Sequence, residues 1–266
     1  MGEVLSSDRI AAHITRESWS FTLNHFSYFF KITIFPLLLS IALNGFAAFS
    51  LLLEQPLPQA LIDGMGGFIE ALWGIRWFRF ILEKDRRTDV PKFAFGKAEL
   101  LYFIYSFILL VPFMMDDFIF SNGFRSDYAF LYVAMALGLL VVFLRFEFIF
   151  PALSLGEKTG FIQSLEQSKS VWGNLLKSYC QSLLIILPLG SIVFLILGFL
   201  LISLWILGCL HLEGWHMQDG WHVLLDRNPI IVWLYIIIKE GFWCLVQGFT
   251  MVIAATYYAL SKKKLT

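Results

Sequence analysis

The stretch YFFKITIFPLLLSIALNGFAAFSLLL, residues 28–53, contains one charged side chain, Lys31, among otherwise apolar and small residues. The hydrocarbon core of a bilayer is about 30 Å thick, so about 20 apolar residues in an α-helix cross it. This stretch therefore predicts a transmembrane helix. Similar stretches predict five further spans, at residues 57–82, 99–115, 128–153, 178–209 and 229–260.

The composition agrees with a protein that lies largely in lipid. Hydrophobic residues make up 58% of the chain and charged residues only 15%. Because only helices and closed barrels satisfy their backbone in lipid, and the short alternating strands of a barrel are absent from the sequence, we predict an all-α bundle. The fold class is a polytopic membrane bundle of six transmembrane helices, forming a single transmembrane domain over residues 1–266. The net charge of zero gives no reason to expect nucleic acid as a partner.

The distribution of basic residues predicts the orientation in the membrane. The loops after the second and fourth spans and the two ends of the chain hold Arg9, Arg16, Lys31, Lys84, Arg86, Arg87, Lys92, Lys97, Lys158, Lys169, Lys177, Lys262, Lys263 and Lys264. The opposite loops hold only Arg125 and Arg227. Since loops rich in lysine and arginine stay in the cytoplasm, both termini are predicted to be cytoplasmic. We expect no cleaved signal peptide, so the first span serves as an uncleaved anchor.

Two segments next to the spans have the pattern of amphipathic helices. Residues 8–24 and 160–176 interleave apolar residues with charged and amide side chains. This pattern favours interfacial helices that lie on the cytoplasmic surface of the membrane. The alternative is a pair of loop helices packed on the bundle.

The two segments also resemble each other, which predicts an internal repeat. Ser18-x-Ser20-x-x-x-Asn24 recurs as Ser168-x-Ser170-x-x-x-Asn174, and each precedes a span with one proline. Gly67-Phe68 followed by Gly74 recurs as Gly241-Phe242 followed by Gly248. A unit of one surface helix and two spans would thus occur twice, in a parallel orientation. We expect Asn24 and Asn174 to be equivalent; chance similarity between apolar segments is the alternative.

The four repeated glycines predict close contact between helices. Glycine lets the backbones of membrane helices approach each other, and the spacings place Gly67 and Gly74 on one face and Gly241 and Gly248 on another. We therefore expect all four to face other parts of the protein. The alternative is that they reflect the general frequency of glycine in membrane helices.

Several charged residues fall inside the predicted spans, where an unpaired charge costs about 2.5–3.5 kcal/mol. They form a predicted intramembrane polar core of Asp63, Glu70, Arg76, Arg79, Arg145, Glu147, Lys239 and Glu240. We expect Arg76 or Arg79 to pair with Glu147, and Glu70 to pair with Arg145 or Lys239. Such residues form an ion or proton path, a lipid-headgroup site or structural ion pairs; the lack of a continuous acidic or hydroxyl run favours structural pairs.

The loop before the last span contains the tripeptide Gly-Trp-His twice. Its imidazoles and carboxylates are possible ligands for zinc or copper: His211, Glu213, His216, Asp219 and His222. The spacing does not place the histidines on one helical face, which favours an interfacial loop held by Trp215 and Trp221. The cysteines, Cys180, Cys209 and Cys244, lack metal-type spacing and are expected to be small core residues. We expect no cofactor.

The stretch Leu144-Arg145-Phe-Glu147-Phe-Ile-Phe-Pro151-Ala152, with Gly156, Ser164-Leu-x-x-Ser168 and Gly173-Asn174 after it, resembles a known group. The group comprises bacterial six-span membrane proteins and includes the membrane domain fused to some glycerophosphodiester phosphodiesterases. This resemblance implies an inner-membrane protein with an envelope or lipid-related role. It carries over no hydrolytic activity, because the soluble phosphodiesterase domain has no counterpart in this sequence.

These observations lead to two functional hypotheses. The first is a non-enzymatic integral inner-membrane protein that interacts with lipids or organises the envelope, with membrane lipids as its partners. The second is a transporter of a small solute or ion that uses the intramembrane charges. An enzyme is less favoured, because the sequence contains neither a nucleophile elbow nor a phosphate-binding glycine loop. The sequence leaves a protein partner or a homo-oligomer open.

The predicted topology can be tested with reporter fusions. Fusions at Ser121 and Gln218 should report the outer side of the membrane, and a fusion at Arg87 should report the cytoplasm. The same enzyme or fluorophore fused at Lys264 is the control for a cytoplasmic end. A cytoplasmic signal at Gln218 would contradict the six-span arrangement.

Overall fold

The computed structural model describes residues 7–52, 59–83, 96–108, 138, 141–142, 144–157, 160–206 and 229–265. All regular secondary structure in these ranges is helical. The predicted all-α fold is therefore confirmed for this part of the chain.

The helices are numbered in chain order. They are α1 (Ser7–Asn24), α2 (Phe26–Leu52), α3 (Gln59–Glu83), α4 (97–108), α5 (Ile149–Ser154), α6 (Phe161–Ser168), α7 (Trp172–Ile206) and α8 (Pro229–Leu265). A turn at residues 147–148 precedes α5, and a turn at residues 169–171 separates α6 from α7.

Three of these helices are long and apolar enough to cross a membrane. The crossing segments are Phe26–Ser50 in α2, Trp172–Val193 in α7 and Val232–Lys262 in α8. They match the first, fifth and sixth predicted spans. The second predicted span is helical as α3, but its charged residues make it less apolar than the other three. For the second, third and fourth spans, a membrane crossing stays a prediction.

The outer surfaces of α2 and α7 are apolar, as lipid contact requires. Phe46 on α2 and Leu184 and Phe199 on α7 expose 62%, 73% and 73% of their surface. Beyond Gly190, every α7 side chain that the structure describes is exposed or half-exposed. In water such a surface would promote association, whereas lipid chains solvate it without cost.

Helix α8 lies at the centre of the bundle and contacts α1, α2, α3 and α7. Its packing against α2 and α3 depends on three aromatic rings. The Phe29 ring meets Trp77 edge-on at 5.0 Å and Trp73 edge-on at 5.9 Å. The Trp77 indole N–H donates a hydrogen bond of 2.8 Å to the carbonyl of Gly248 on α8. These contacts fix the relative position of the three helices.

Helix α1 is packed on the bundle through a face of small and hydroxyl residues. Ala11, Ile14, Ser18 and Thr22 are all buried, whereas Arg9, Arg16 and Glu17 are exposed. The Ser178 hydroxyl on α7 donates to the carbonyl of Ala11 at 3.2 Å. Because Ile14 is buried against protein, α1 is docked on the bundle. Its position on the cytoplasmic surface of the membrane stays a prediction.

Helix α6 has the opposite arrangement to an ordinary amphipathic helix. Its serines, Ser164 and Ser168, are fully buried, whereas Ile162 is 75% exposed. The buried hydroxyls are satisfied by local partners, as described below. The exposed isoleucine leaves an apolar side chain on the outer face of this short helix. Helix α6 is therefore docked on the bundle and also has a face suited to the membrane interface.

The two copies of the serine–asparagine motif are similar in burial and different in position. Ser18 and Ser168 are both fully buried. Asn24 is the last residue of α1, however, whereas Asn174 lies in the first turn of α7, after the helix break. The expected equivalence of the two asparagines is therefore wrong. The internal duplication itself stays a prediction.

The glycines differ in how closely they are packed. A Cβ atom on Gly248 would overlap the Phe29 ring, and one on Gly74 would lie 3.0 Å from the Tyr102 hydroxyl. Gly67 is buried, with Phe103 at 3.9 Å from such an atom. At Gly241 nothing lies within 4 Å, so the expectation of close packing is wrong there. Phe242, its neighbour, makes the interhelical contact instead, at 3.1 Å from a Cβ atom on Gly190 of α7.

The contrast between two glycines of α8 gives a matched test of this packing. Gly248→Ala should lower the free energy of unfolding by about 1–3 kcal/mol, because the Phe29 ring is held by two tryptophans and cannot move aside. Gly241→Ala introduces the same methyl group into open space and should leave stability unchanged or raise it. Thermal unfolding in one detergent compares the two. Equal effects would show that the Phe29 contact does not hold α2 against α8.

Candidate functional site

The side chain of Glu70 joins three helices inside the bundle. The Tyr102 hydroxyl of α4 donates a hydrogen bond of 2.9 Å to one of its carboxylate oxygens. The Gln247 amide of α8 donates a hydrogen bond of 3.0 Å to the other. Each oxygen of Glu70 therefore has its own neutral donor, which satisfies an ionised carboxylate without a cation.

The position of Tyr102 depends on Gly74, one turn after Glu70 on α3. The missing side chain at Gly74 leaves space that the Tyr102 hydroxyl and Met251 occupy. On the other side the Tyr102 ring contacts Phe150 of α5, with ring centroids 4.4 Å apart. The tyrosine is fully buried between these groups, so its hydroxyl is held in place toward Glu70.

The side chain of Glu147 lies in the turn before α5 and is 9% exposed. The Tyr179 hydroxyl of α7 lies 2.7 Å from each of its two carboxyl oxygens. The same hydroxyl lies 3.3 Å from the carbonyl of Thr250 on α8. Glu147 therefore connects the turn to α7 through one hydroxyl group, with the α8 backbone beside it.

Arg145 holds α6 and does not pair with Glu70, so that expected ion pair is wrong. Its guanidinium donates to the carbonyl of Leu165 at 2.7 Å and to the Ser168 hydroxyl at 3.4 Å. In return the Ser164 hydroxyl donates to the carbonyl of Arg145 at 2.7 Å. The reason is that Leu165 lies in the last turn of α6, where carbonyls lack helical partners and attract a positive charge.

Arg79 makes a similar contact and does not pair with Glu147. Its Nε–H donates to the carbonyl of Ser154, the last residue of α5, at 2.8 Å. Its guanidinium also lies 4.0 Å from a carboxylate oxygen of Glu99. Arg76 is buried on the same helix and is attracted electrostatically by Glu99. Among the described residues no arginine forms an ion pair with Glu147, so the expected pairing is wrong.

Lys239 and Glu240 form a separate polar group between α2 and α8. The Lys239 ammonium lies 3.3 Å from one oxygen of Glu240, and the Ser40 hydroxyl donates to the other at 2.6 Å. Lys239 thus pairs with its neighbour in sequence, and the expected pair with Glu70 is wrong. Asp63 belongs to α3, and its side chain lies outside the described residues.

The sequence analysis missed the neutral members of this polar core. Tyr102, Tyr179 and Gln247 supply the donors that were expected from arginine and lysine. A signal was available, because each is a polar side chain within a predicted span and needs a partner in lipid. The partners of an acid in lipid thus include neutral hydroxyl and amide donors as well as charges.

The predicted metal ligands His211, Glu213, His216, Asp219 and His222 lie outside the described residues. Within the described ranges, no group of three or more histidine, cysteine, aspartate or glutamate residues is placed to hold a metal ion. Cys244 packs against the core, whereas Cys180 is exposed and is not a core residue. Cys209 also lies outside the described residues.

Comparisons with protein-family models, with curated proteins and with solved structures find no match to this chain. The chemistry of the site is therefore argued from its contacts. Two glutamates of the interior, the half-buried Glu70 and the buried Glu147, lie near enough to interact electrostatically, and each is hydrogen-bonded to a tyrosine. Carboxyl groups in this arrangement can bind a proton or hold helices together.

The contribution of the Glu70 contacts can be measured with a double-mutant cycle. Gln247→Leu should lower the free energy of unfolding by about 1–3 kcal/mol, because one oxygen of a buried carboxylate loses its donor. In a Glu70→Gln background the same replacement should cost less, since no ionised oxygen is then left without a donor. Thermal unfolding of the four proteins gives the coupling. Additive effects would mean that Gln247 does not support Glu70.

Proposed function

We propose that this chain is a non-enzymatic integral protein of the bacterial inner membrane that interacts with lipids, with an envelope-organising role. The observation that carries the proposal is the contrast between surface and interior. Large apolar side chains are exposed on α2, α7 and the first half of α8. In contrast, the interior acids Glu70, Glu147 and Glu240 are hydrogen-bonded to other side chains of the protein. The surface is thus the part of the molecule available to a partner, and lipid is the partner that its chemistry fits.

Two helices begin their crossing segments in the same way. Phe26 opens the segment in α2 and Trp172 opens the segment in α7, and both rings are exposed. In each helix an exposed lysine, Lys31 or Lys177, follows five residues later. At 1.5 Å per residue the lysines lie about 7.5 Å deeper than the rings, which is within the reach of a lysine side chain toward lipid phosphates.

This pairing of a ring with a lysine supports a preference for anionic lipids. Aromatic rings favour the level of the headgroups, and basic side chains near the cytoplasmic leaflet attract its negative lipids by about 1 kcal/mol each. The exposed Ile162 of α6 and the nearby Lys169 give the same combination on the surface outside the crossing segments. Lipid contact therefore concentrates at the end of the bundle where α2 and α7 begin.

Transport of a proton or small ion is the second candidate. It is favoured by one observation, the presence of Glu70 and Glu147 in the interior without a paired lysine or arginine among the described residues. Against it, both carboxyl groups already have donors within the bundle. The lipid-interacting role therefore remains the first proposal, and the test below includes an outcome for each.

The test is the amount of anionic lipid that stays bound after purification in a mild detergent. Lys31→Gln with Lys177→Gln should reduce the ratio of retained phosphatidylglycerol to phosphatidylethanolamine by about half or more, because two phosphate-binding charges are lost. Quantitative mass spectrometry of extracted lipids measures the ratio. Arg9→Gln is the control, since it removes an exposed charge from α1 outside the crossing segments.

An unchanged lipid ratio in the double variant would contradict the anionic-lipid preference. Proteoliposomes loaded with a pH-sensitive dye give the complementary measurement. Proton flux equal to that of empty liposomes is the expected result. Flux that is lost in Glu70→Gln and in Glu147→Gln would instead establish the transport candidate.

A further inference from the structure

We propose that Glu147 binds a proton in the folded protein, so that Glu147 and Glu70 together hold one negative charge inside the bundle. The proposal rests on the geometry of the hydrogen bonds around the two carboxyl groups. It does not depend on the lipid-interacting role, and it goes beyond it by assigning a ligand, the proton, to a named side chain.

The first argument is the number of donors that each buried acid receives. Glu70 receives two, the Tyr102 hydroxyl and the Gln247 amide, one for each oxygen. Glu240 receives the Ser40 hydroxyl and the Lys239 ammonium. Among the described residues Glu147 has a single donor, the Tyr179 hydroxyl, placed 2.7 Å from both of its oxygens. One O–H group cannot satisfy both oxygens of an ionised carboxylate.

The second argument is the position of Thr250. The Tyr179 hydroxyl has one hydrogen, and it lies beside two acceptors, the carboxyl group of Glu147 and the Thr250 carbonyl at 3.3 Å. If Glu147 is ionised, that hydrogen serves the carboxylate and the carbonyl receives none from Tyr179. If Glu147 carries a proton, its O–H donates to the Tyr179 oxygen, and the Tyr179 O–H donates to the Thr250 carbonyl. In the protonated form each of the two O–H groups has an acceptor, and the Thr250 carbonyl receives a hydrogen bond from Tyr179.

The third argument is the charge around the site. Among the described residues, the ionisable groups that interact with Glu147 are Tyr179 from α7, Glu70 from α3 and Tyr102 from α4. None of these is a cation, and Glu70 adds a like charge. Arg145, two residues before Glu147, and Arg79 are directed to the ends of α6 and α5. Two like charges in a medium of low dielectric constant repel strongly, so a proton on one carboxyl group is favoured.

The proton would complete a hydrogen-bonded connection between three parts of the bundle. Bound to Glu147, it connects the turn before α5 to Tyr179 on α7 and, through that hydroxyl, to Thr250 on α8. Loss of the proton removes a donor from these hydrogen bonds and adds a second negative charge near Glu70. The folded state is thus stabilised while the proton is bound, and this stabilisation is lost as the pH rises and the proton dissociates.

Infrared difference spectroscopy of the full chain in nanodiscs tests the assignment directly. The carbonyl stretching band of a protonated carboxylic acid should be present in the wild type at neutral pH. It should be lost in Glu147→Gln and kept in the matched variant Glu70→Gln. Tyr179→Phe should shift the band, because the acid then loses its acceptor. A band of equal intensity in Glu147→Gln, or one unmoved by Tyr179→Phe, would overturn the proposal.

Thermal unfolding across a pH series gives an independent readout. The unfolding midpoint of the wild type should fall by several degrees from mildly acidic to neutral pH, because the unfolded chain releases the Glu147 proton at about pH 4.3 whereas the folded chain keeps it. The midpoint of Glu147→Gln should not share this fall. At a pH low enough to protonate glutamate in the unfolded chain the two midpoints should agree, because glutamine imitates a protonated acid in shape and keeps an N–H donor for Tyr179. At neutral pH Glu147→Gln should be at least as stable as the wild type. A large loss of stability in Glu147→Gln at neutral pH would show that Glu147 is needed in its ionised form, and would refute the assignment.

Discussion

Polar groups in the interior of this bundle depend on partners within the chain, because lipid offers none. Among the described residues, only Ser18, Trp19 and Gln167 have a buried side-chain polar atom without such a partner. This constraint explains where the charged residues point. Arg145 and Arg79 lie close to acidic residues in sequence and in the bundle, yet they bond to the last carbonyls of α6 and α5. The short helices α5 and α6 end between longer ones, and their free carbonyls need donors. The arginines meet that need and thereby fix both short helices in the bundle.

The apolar packing is connected to the same hydrogen bonds. Trp77 donates to the carbonyl of Gly248, and the Phe29 ring lies against both Trp77 and the bare backbone of Gly248. One glycine therefore provides an acceptor for the tryptophan and space for the phenylalanine. Gly74 likewise leaves space for the Tyr102 hydroxyl, which donates its hydrogen bond to Glu70 from the position next to this glycine. At both glycines the missing side chain allows close packing of the helices and also the hydrogen bond beside it.

The sequence predicted the features that depend on one helix at a time. The lengths and apolar character of α2, α7 and α8 follow from the run of residues alone, and the close packing at Gly74 and Gly248 follows from spacing. Features that depend on two helices were predicted poorly. The ion pairs expected for Glu70 and Glu147 were wrong, since sequence separation and depth do not show which of several donors at one level faces an acid. For α1, the burial of the Ser18 and Thr22 hydroxyls shows that the helix is docked on protein. The pattern of charged residues in its sequence did not predict this docking.

The difference between Glu70 and Glu147 comes from the helices that surround them. Glu70 is in the middle of α3, where α4 and α8 pass on two sides and each supplies a donor. Glu147 lies in a turn between the helical residues 144–146 and α5, and Tyr179 is the sole side-chain donor that reaches it among the described residues. A carboxyl group in that position can complete its hydrogen bonds by carrying its own hydrogen. The turn before α5 thus determines the chemistry of Glu147, in the same way that the ends of α5 and α6 determine the partners of the two arginines.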